Sequence, residues 1–381
     1  MNIGIFTDSF TPEINGVVTS LQLFIAEFRR LGHEVFIFAP NNHLRTAHCA
    51  ETNTRQYPAM LFWGKQVRLS LPIIRSGAVA PLNLDVIHVQ TPGPIGLAGI
   101  RVARKLKIPA VYTYHTRVER YAQYYLHLPA WLEKSTLALV ANRIYNKHDA
   151  IIAPSEGIKN GLRKYVTKPI TVIPTGVDIA ANRSAADRVD AAKVLRQFGL
   201  TMDHDFCITA SRVGKEKNLR FIIDAFPAIK KQCPRAKLLI AGNGPDKKSL
   251  LAYARTVAAA TDIIFLGFLS HAELFSLYRA AKVFLFASQT ETQGMAIWEA
   301  MSLGLPVVAV SATGTDDLMA GDAGGFMVGN DPAEMARRAS ALIGDQNLWQ
   351  TKSREAAIRA QDFSIDKMAE KIIALYRGLI K

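Results

Sequence analysis

Short apolar runs recur along the whole chain and alternate with longer stretches whose apolar residues return every three or four positions. Few folds accommodate that rhythm. Runs rich in Val and Ile and bounded by turn residues read as strands buried on both faces, joined by crossover helices. In the first half the strand candidates are Asn2 to Thr7, Glu34 to Ala39, Val86 to Val89, Ala110 to Tyr114 and Ala150 to Ala153. The helical stretch Gln22 to Leu31 separates the first two and should stop at Gly32, in a left-handed cap. Phe206 to Ala210, Lys237 to Ala241, Ile263 to Leu266, Val283 to Ala287 and Val307 to Val310 repeat the pattern in the second half. The fold class is α/β, with two doubly wound parallel sheets in Rossmann-like domains.

A length of 381 residues suits two or three domains. The break in the rhythm falls at IPTGVD, residues 173 to 178, where Pro174 and Gly176 precede a polar segment. The expected division is therefore 1–176, 177–360, and a C-terminal helix, 361–381, that crosses back to the first domain. Open α/β sheets bind ligands beyond the carboxyl ends of their strands, so the chemistry is expected on the loops after the strands, facing a cleft.

Composition narrows the function classes. Apolar residues make up 49% and charged residues 20%, with no low-complexity tract, which excludes disordered and fibrous chains. The net charge is +14, and residues 1–180 hold 20 basic against 11 acidic residues. Such a balance attracts an anionic partner: nucleic acid, a membrane surface or a phosphorylated substrate. Nucleic acid is disfavoured, because the basic residues share their region with apolar ones and no helix-turn-helix, RRM or zinc pattern appears. Cys49, Cys207 and Cys233 are widely spaced and odd in number, which fits a reducing, cytoplasmic location and no zinc site. No stretch reaches the roughly 18 apolar residues of a membrane span, so a membrane would be met peripherally, at the inner face.

The loops carry the candidate site. After the first strand, Asn15 and Gly16 precede a helix whose N–H groups suit an anion, although Asn-Gly is also an ordinary turn. His115 stands where the Ala110 to Tyr114 strand opens, placed to meet a substrate hydroxyl or phosphate. In SRVGKEKN, Arg212 and Lys217 flank Gly214 at a strand end, two cations suited to a departing diphosphate. AGNGP follows the next strand, where Gly242, Asn243 and Gly244 permit close backbone approach to a ligand. In SQTETQGMAIWEAMSLG, Glu291 lies in a loop and Glu299 inside an apolar helix, where a lone carboxylate is costly. Ligand hydroxyls or an internal salt bridge would satisfy it. Gln293, Gly294 and Met295 lie between the two.

With these residues assembled, the chain resembles the family 4 glycosyltransferases of two-domain GT-B architecture, over nearly its whole length and with the motifs in the family's order. The resemblance implies that Arg212 and Lys217 hold a nucleotide diphosphate, that Glu299 binds ribose hydroxyls, and that Glu291 with Gln293, Gly294 and Met295 contacts the donor sugar. INGVVTSL, DVIHVQTPGPIGLAGIRVARKLKIPAVYTYHT and RVERYAQYY are similar to bacterial glucosyltransferases acting on diacylglycerol. The pattern departs from the family at Thr313 to Asp317, TGTDD, which leaves Asp316 without a clear role, and at Gln293, where Phe is commoner.

The expected activity is thus retaining transfer of glucose from UDP-glucose, a co-substrate, to a membrane glycerolipid such as 1,2-diacylglycerol. No metal or other cofactor is expected, because no Asp-x-Asp motif lies at a strand end and Arg212 and Lys217 bring the positive charge. Basic and apolar residues are mixed at Arg117, Arg120, Lys134, Arg143 and Lys147 with Tyr121, Tyr124, Tyr125, Leu126, Leu128, Trp131 and Leu132. That mixture, and residues 59–75 with Phe62, Trp63, Lys65 and Arg68, suits an anionic lipid interface. A mannosyltransferase acting on phosphatidylinositol, an enzyme with a soluble acceptor and a GT-B sugar-nucleotide epimerase are the alternatives.

Overall fold

The computed structural model describes residues 1–13, 15–41, 52–62, 67–70, 73–115, 132–288, 291–312, 315 and 317–380, with backbone alone at 60–62, 67–70, 132–134, 136 and 320. The chain divides into two compact units, Met1–Gly176 with Ile365–Lys381, and Val177–Ser364.

The N-terminal unit is built on β1 (Asn2–Phe6), β2 (Glu34–Asn41), β3 (Thr54–Phe62), β4 (Val67–Ser70), β5 (Val86–Val89), β6 (Ala110–Thr113), β7 (Ala150–Ala153) and β8 (Ile170–Val172). They form one sheet in the order β4-β3-β2-β1-β5-β6-β7-β8. All pairs are parallel except β3 with β4, so an antiparallel edge closes a sheet expected to be wholly parallel. β3 carries Arg55, Gln56 and Pro58, and β8 is only three residues long, so neither gives a clear apolar run. The segment expected as a second lipid-facing stretch thus includes the β3–β4 edge; Trp63 and Lys65 lie outside the described residues, as do Arg117, Arg120, Tyr121, Tyr124, Tyr125, Leu126, Leu128 and Trp131.

The helix expected from Gln22 begins earlier, at Gly16, and runs to Arg30. Its end is a Schellman turn: Gly32 N–H donates to Arg29 O and His33 N–H to Phe28 O, with Gly32 at φ +81°. Phe24 and Phe28 of this helix pack with Ile3, Ile5, Val35 and Ile37 on one face of the sheet. The Ile365–Leu379 helix covers the same face. Its buried Ile365, Met368, Ala369, Ile372, Ile373 and Tyr376 recur at helical spacing, one stripe that needs an apolar partner. At roughly 1.5 to 3 kcal/mol for each large side chain buried, that stripe accounts for the return of the chain to the first unit. The outgoing segment passes close against the start of this helix at Gly176, where a Cβ would lie 2.4 Å from Ile365 Cα. The return starts at Ile365 and not at 361, because the Gln346–Gln361 helix still buries Ala356 and Ala360 in the C-terminal unit.

The C-terminal unit holds β9 (Asp205–Ala210), β10 (Ala236–Ala241), β11 (Ile263–Gly267), β12 (Val283–Phe286), β13 (Val307–Val310) and β14 (Gly325–Val328). The order is β11-β10-β9-β12-β13-β14, all parallel. β14 follows Gly324 and opens on Gly325, so only three apolar residues mark it. In each sheet the order reverses once, between β1 and β5 and between β9 and β12, and such switch points open a crevice at the carboxyl ends. The candidate residues sit on the loops after β1 and β6 in the first sheet and after β9, β10 and β12 in the second, with Glu299 on the helix that follows β12.

Candidate active site

Three candidates belong to the N-terminal unit. Asn15 takes an extended φ of −155° and caps the Gly16–Arg30 helix, its side chain accepting from Val18 N–H at 3.0 Å. Its amide also donates to Ser9 Oγ at 2.9 Å, so the loop after β1 is tied to the helix start that Gly16 opens. The cap leaves the other first-turn N–H groups of the helix without intrahelical acceptors. His115 follows β6, with Nε2 2.6 Å from Gln90 Oε1, and burial pushes its imidazole down to about 4. At neutral pH it is uncharged.

Two residues that pattern reading passed over support this half. Asp8, after β1, accepts from Ile95 N–H at 2.8 Å and from Thr91 Oγ1 at 2.7 Å, so it caps the Pro94–Leu106 helix from another loop. Gln90 ends β5 and holds His115. Each is a polar residue at the carboxyl end of a strand beside the switch point, a placement that could have singled both out.

The other candidates belong to the C-terminal unit. The loop after β9 carries Arg212 and Lys217, and Lys217 Nζ donates to Glu291 Oε1 from the loop after β12. Arg212 lies 3.9 Å from Glu216 and keeps 44% of its side chain exposed. The two cations expected at a diphosphate stand beside carboxylates, and the four charges sum to zero. Ser288 Oγ donates to Glu216 O at 3.2 Å and so ties the β12 loop to the β9 loop. Glu216, too, had no signal in the sequence beyond its charge.

Gly242, Asn243 and Gly244 lie against the same loop. Val213 N–H donates to Asn243 O at 3.0 Å, and a Cβ at Gly242, whose φ is +124°, would lie 1.9 Å from Ser211 O. A Cβ at Gly244 would lie 2.3 Å from Val213 O. These glycines let two loops approach each other, and they set the path of the segment bearing Arg212.

Gly294 caps the Met295–Ser302 helix in the left-handed region, φ +63°, where a side chain would strain the backbone. Gln293 before it is buried. Glu299 sits just over one turn into the helix. Burial raises its carboxyl to about 7, and among the described residues no side chain or N–H hydrogen-bonds or ion-pairs with that carboxylate. The internal salt bridge left open by the sequence is absent there. Tyr278, buried on the His271–Ala280 helix, has a hydroxyl without a hydrogen-bond partner and is itself pushed up by burial and by the Glu299 charge.

Cations, an uncovered carboxylate and backbone-bared loops gathered at the β9–β12 switch point can hold a ligand that is anionic at one end and hydroxylated at the other. A match to known families puts a name to that chemistry. The chain fits the model for glycosyltransferase family 4 over residues 14–181 and that for glycosyl transferases group 1 over residues 191–361. It is 32% identical to an alpha-monoglucosyldiacylglycerol synthase of Streptococcus pneumoniae, over 81% of this chain and 71% of that one. The same named enzyme of Acholeplasma laidlawii is 28% identical over 100% and 98%. A GDP-mannose-dependent alpha-mannosyltransferase of Mycolicibacterium smegmatis is 26% identical over 94% and 93%. Among solved structures, sucrose-phosphate synthase of Thermosynechococcus elongatus shares the fold with a TM-score of 0.75 at 18% identity, over 99% and 98%. The chain belongs to the family 4 glycosyltransferases, and its two Rossmann-like sheets are those of the GT-B architecture.

Proposed function

We propose that this glycosyltransferase moves glucose from UDP-glucose to a membrane glycerolipid, 1,2-diacylglycerol or a close relative, with retention at the anomeric carbon. The observation that carries the reading is the partly buried carboxylate of Glu299, which has no partner among the described residues, in the same unit as Arg212 and the Lys217–Glu291 pair. A ribose would give Glu299 two hydroxyl donors. The diphosphate would draw Lys217 and Arg212, and Glu291, released from Lys217 or sharing it, would meet a sugar hydroxyl.

In the reaction the C1–O bond to the β-phosphate breaks as the acceptor oxygen bonds to C1 on the same face. The acceptor hydroxyl proton passes to the departing phosphate, so no protein nucleophile is needed. Positive charge aimed at the leaving group is the largest contribution such a site can make. The named activity of the streptococcal and Acholeplasma relatives favours the glucosyl reading; the mannosyltransferase relative keeps GDP-mannose as the second donor to test.

A lipid acceptor requires access to a bilayer. Among the described residues no helix is long and apolar enough to cross one, so attachment at the surface of the membrane is the corresponding proposal. Leu139 and Arg143, both exposed on the Leu132–Arg143 helix, and Ile73 next to Arg75 support it. Basic residues near an anionic surface contribute about 1 kcal/mol each. Radiolabelled UDP-glucose and GDP-mannose, each offered diacylglycerol, phosphatidylinositol and soluble acceptors, test the reading. Label from UDP-glucose in a lipid product supports it. Label only in a soluble product, or only from GDP-mannose, overturns it. Sedimentation with anionic vesicles, weakened by salt and slight with neutral ones, is expected for the membrane arm.

A further inference from the structure

His88 and Gln90 on and just beyond β5 share a face with Thr113 and His115 on and just beyond β6, because side chains alternate along strands and His88 pairs with Val111. They form a polar strip inside an otherwise apolar unit. Tyr376 Oη of the C-terminal helix lies 2.5 Å from His88 Nδ1, His88 Nε2 lies 2.6 Å from Thr113 Oγ1, and Gln90 Oε1 lies 2.6 Å from His115 Nε2. A carbonyl oxygen can only accept. The proton between Gln90 and His115 therefore sits on Nε2, and a neutral imidazole then carries its lone pair on Nδ1.

We infer that Gln90 is the positioning residue for His115: it fixes the imidazole as the Nε2–H tautomer and holds the ring orientation that His115 presents to substrate. The inference rests on the proposed glycosyl transfer only for the word substrate; tautomer and orientation are properties of the free protein. Among the described residues, the titratable groups acting on the strip include His88 on β5, its partner Tyr376 on the C-terminal helix, and His148, whose Nδ1 meets Ile144 O and Tyr145 O. Burial keeps all three histidines neutral at pH 7, with His88 lowered to about 3 and His115 and His148 to about 4. The Gln90 amide oxygen, 2.6 Å from Nε2, favours the proton on that nitrogen of His115.

Two variants separate positioning from mere packing. Gln90→Leu keeps the volume and removes the acceptor. Gln90→Glu keeps the acceptor and adds a charge that stabilises an imidazolium. Nitrogen-15 histidine spectra of the full chain, with the His115 signal assigned by its loss in His115→Asn, read the tautomer and the titration without donor or acceptor. The Nε2–H form is expected in the wild type. It should give way to mixed tautomers in Gln90→Leu, and in Gln90→Glu it should persist with a titration moved up by a pH unit or more. In turnover, Gln90→Leu should lose about tenfold in kcat/KM at every pH with UDP affinity unchanged. Gln90→Glu should recover near-normal rates above pH 8 and fall away on the acid side, where its imidazolium forms. Unaltered His115 spectra in both variants overturn the inference even if transfer is slowed. Altered spectra with no glucosyl transfer by the wild type sustain the inference and sink the proposed activity instead. A melting curve and UDP titration of each variant exclude misfolding as the cause.

Discussion

In the N-terminal unit the polar side chains at the strand ends hold one another: Asn15 caps its helix, Asp8 caps the next, Gln90 holds His115, and Tyr376 reaches His88. In the C-terminal unit the same level of the sheet carries Lys217 spent on Glu291, Arg212 half-exposed, and Glu299 partly buried and, among the described residues, without a partner. Among the described strand-end residues, the first unit's polar side chains meet one another, whereas the second unit keeps one carboxylate without a partner. Under the proposed transfer, a nucleotide diphosphate would bring an anion for Arg212 and Lys217 and hydroxyls for Glu299.

The largest effect expected from breaking this contrast is at Lys217. Lys217→Ala removes the cation that the proposed mechanism sets against the leaving group and frees Glu291 from its ion pair, so turnover should fall by about two orders of magnitude or more. Arg212→Ala, whose carboxylate neighbour is farther away, should fall by a similar factor, and circular dichroism should stay native for both. Near-normal rates in both variants would remove the pair from the diphosphate site.

Next in size is Glu299. Glu299→Gln keeps the shape and loses charge-assisted hydrogen bonds of roughly 1.5 to 3 kcal/mol each, so UDP affinity should weaken by about tenfold or more. The pH dependence has a definite sign. Burial holds the carboxyl of the folded protein at about 7, well above its unfolded value, so folding takes up a proton between the two and stability falls as pH rises through that window. UDP binding needs the ionised form and should therefore weaken as the wild type is taken below about pH 7, while Glu299→Gln shows no such slope. Free Glu299→Gln should also melt higher than the wild type at pH 8, because the buried charge is gone. A residue serving an internal salt bridge would do the reverse, losing stability and leaving UDP affinity unchanged. Calorimetric titration and melting curves at pH 6 and 8 distinguish the two.

How far the sequence reached follows the same division. Apolar runs such as Val283 to Phe286 and Val307 to Val310 are unambiguous because both faces of the strand are buried. β3 and β8 were not legible, since an edge strand with Arg55, Gln56 and Pro58 and a strand of three residues carry little of that signal. The loop residues of the C-terminal unit stood out by charge and glycine spacing. What no spacing could show is that Lys217 and Glu291, 74 residues apart, meet in one ion pair. Gln90 was missed for the opposite reason, as a neutral side chain has no pattern until its partner is placed 2.6 Å away.

The smallest effect, and the one that sharpens the picture of polar side chains meeting one another in the N-terminal unit, concerns Tyr376. Its ring is buried against Phe28 and His88 in the return helix, and its hydroxyl meets His88 Nδ1. Tyr376→Phe leaves that packing in place and strips one hydrogen bond from a buried imidazole, which costs about 1 to 3 kcal/mol when the remaining group has no substitute partner. For a unit of this size each kcal/mol lowers the melting temperature by about 2–4 °C. Turnover at 25 °C should change little, because Gln90, and not Tyr376, touches His115. A drop of a few degrees with near-normal kcat places the Tyr376–His88–Thr113 chain in the scaffold. An unchanged melting curve would show that the hydroxyl contributes nothing net, and that the return helix is held by its apolar stripe alone. A large loss of turnover without loss of stability would mean that the strip acts as one unit through Thr113 on His115, and the division between scaffold and site drawn here would have to move two residues back along β6.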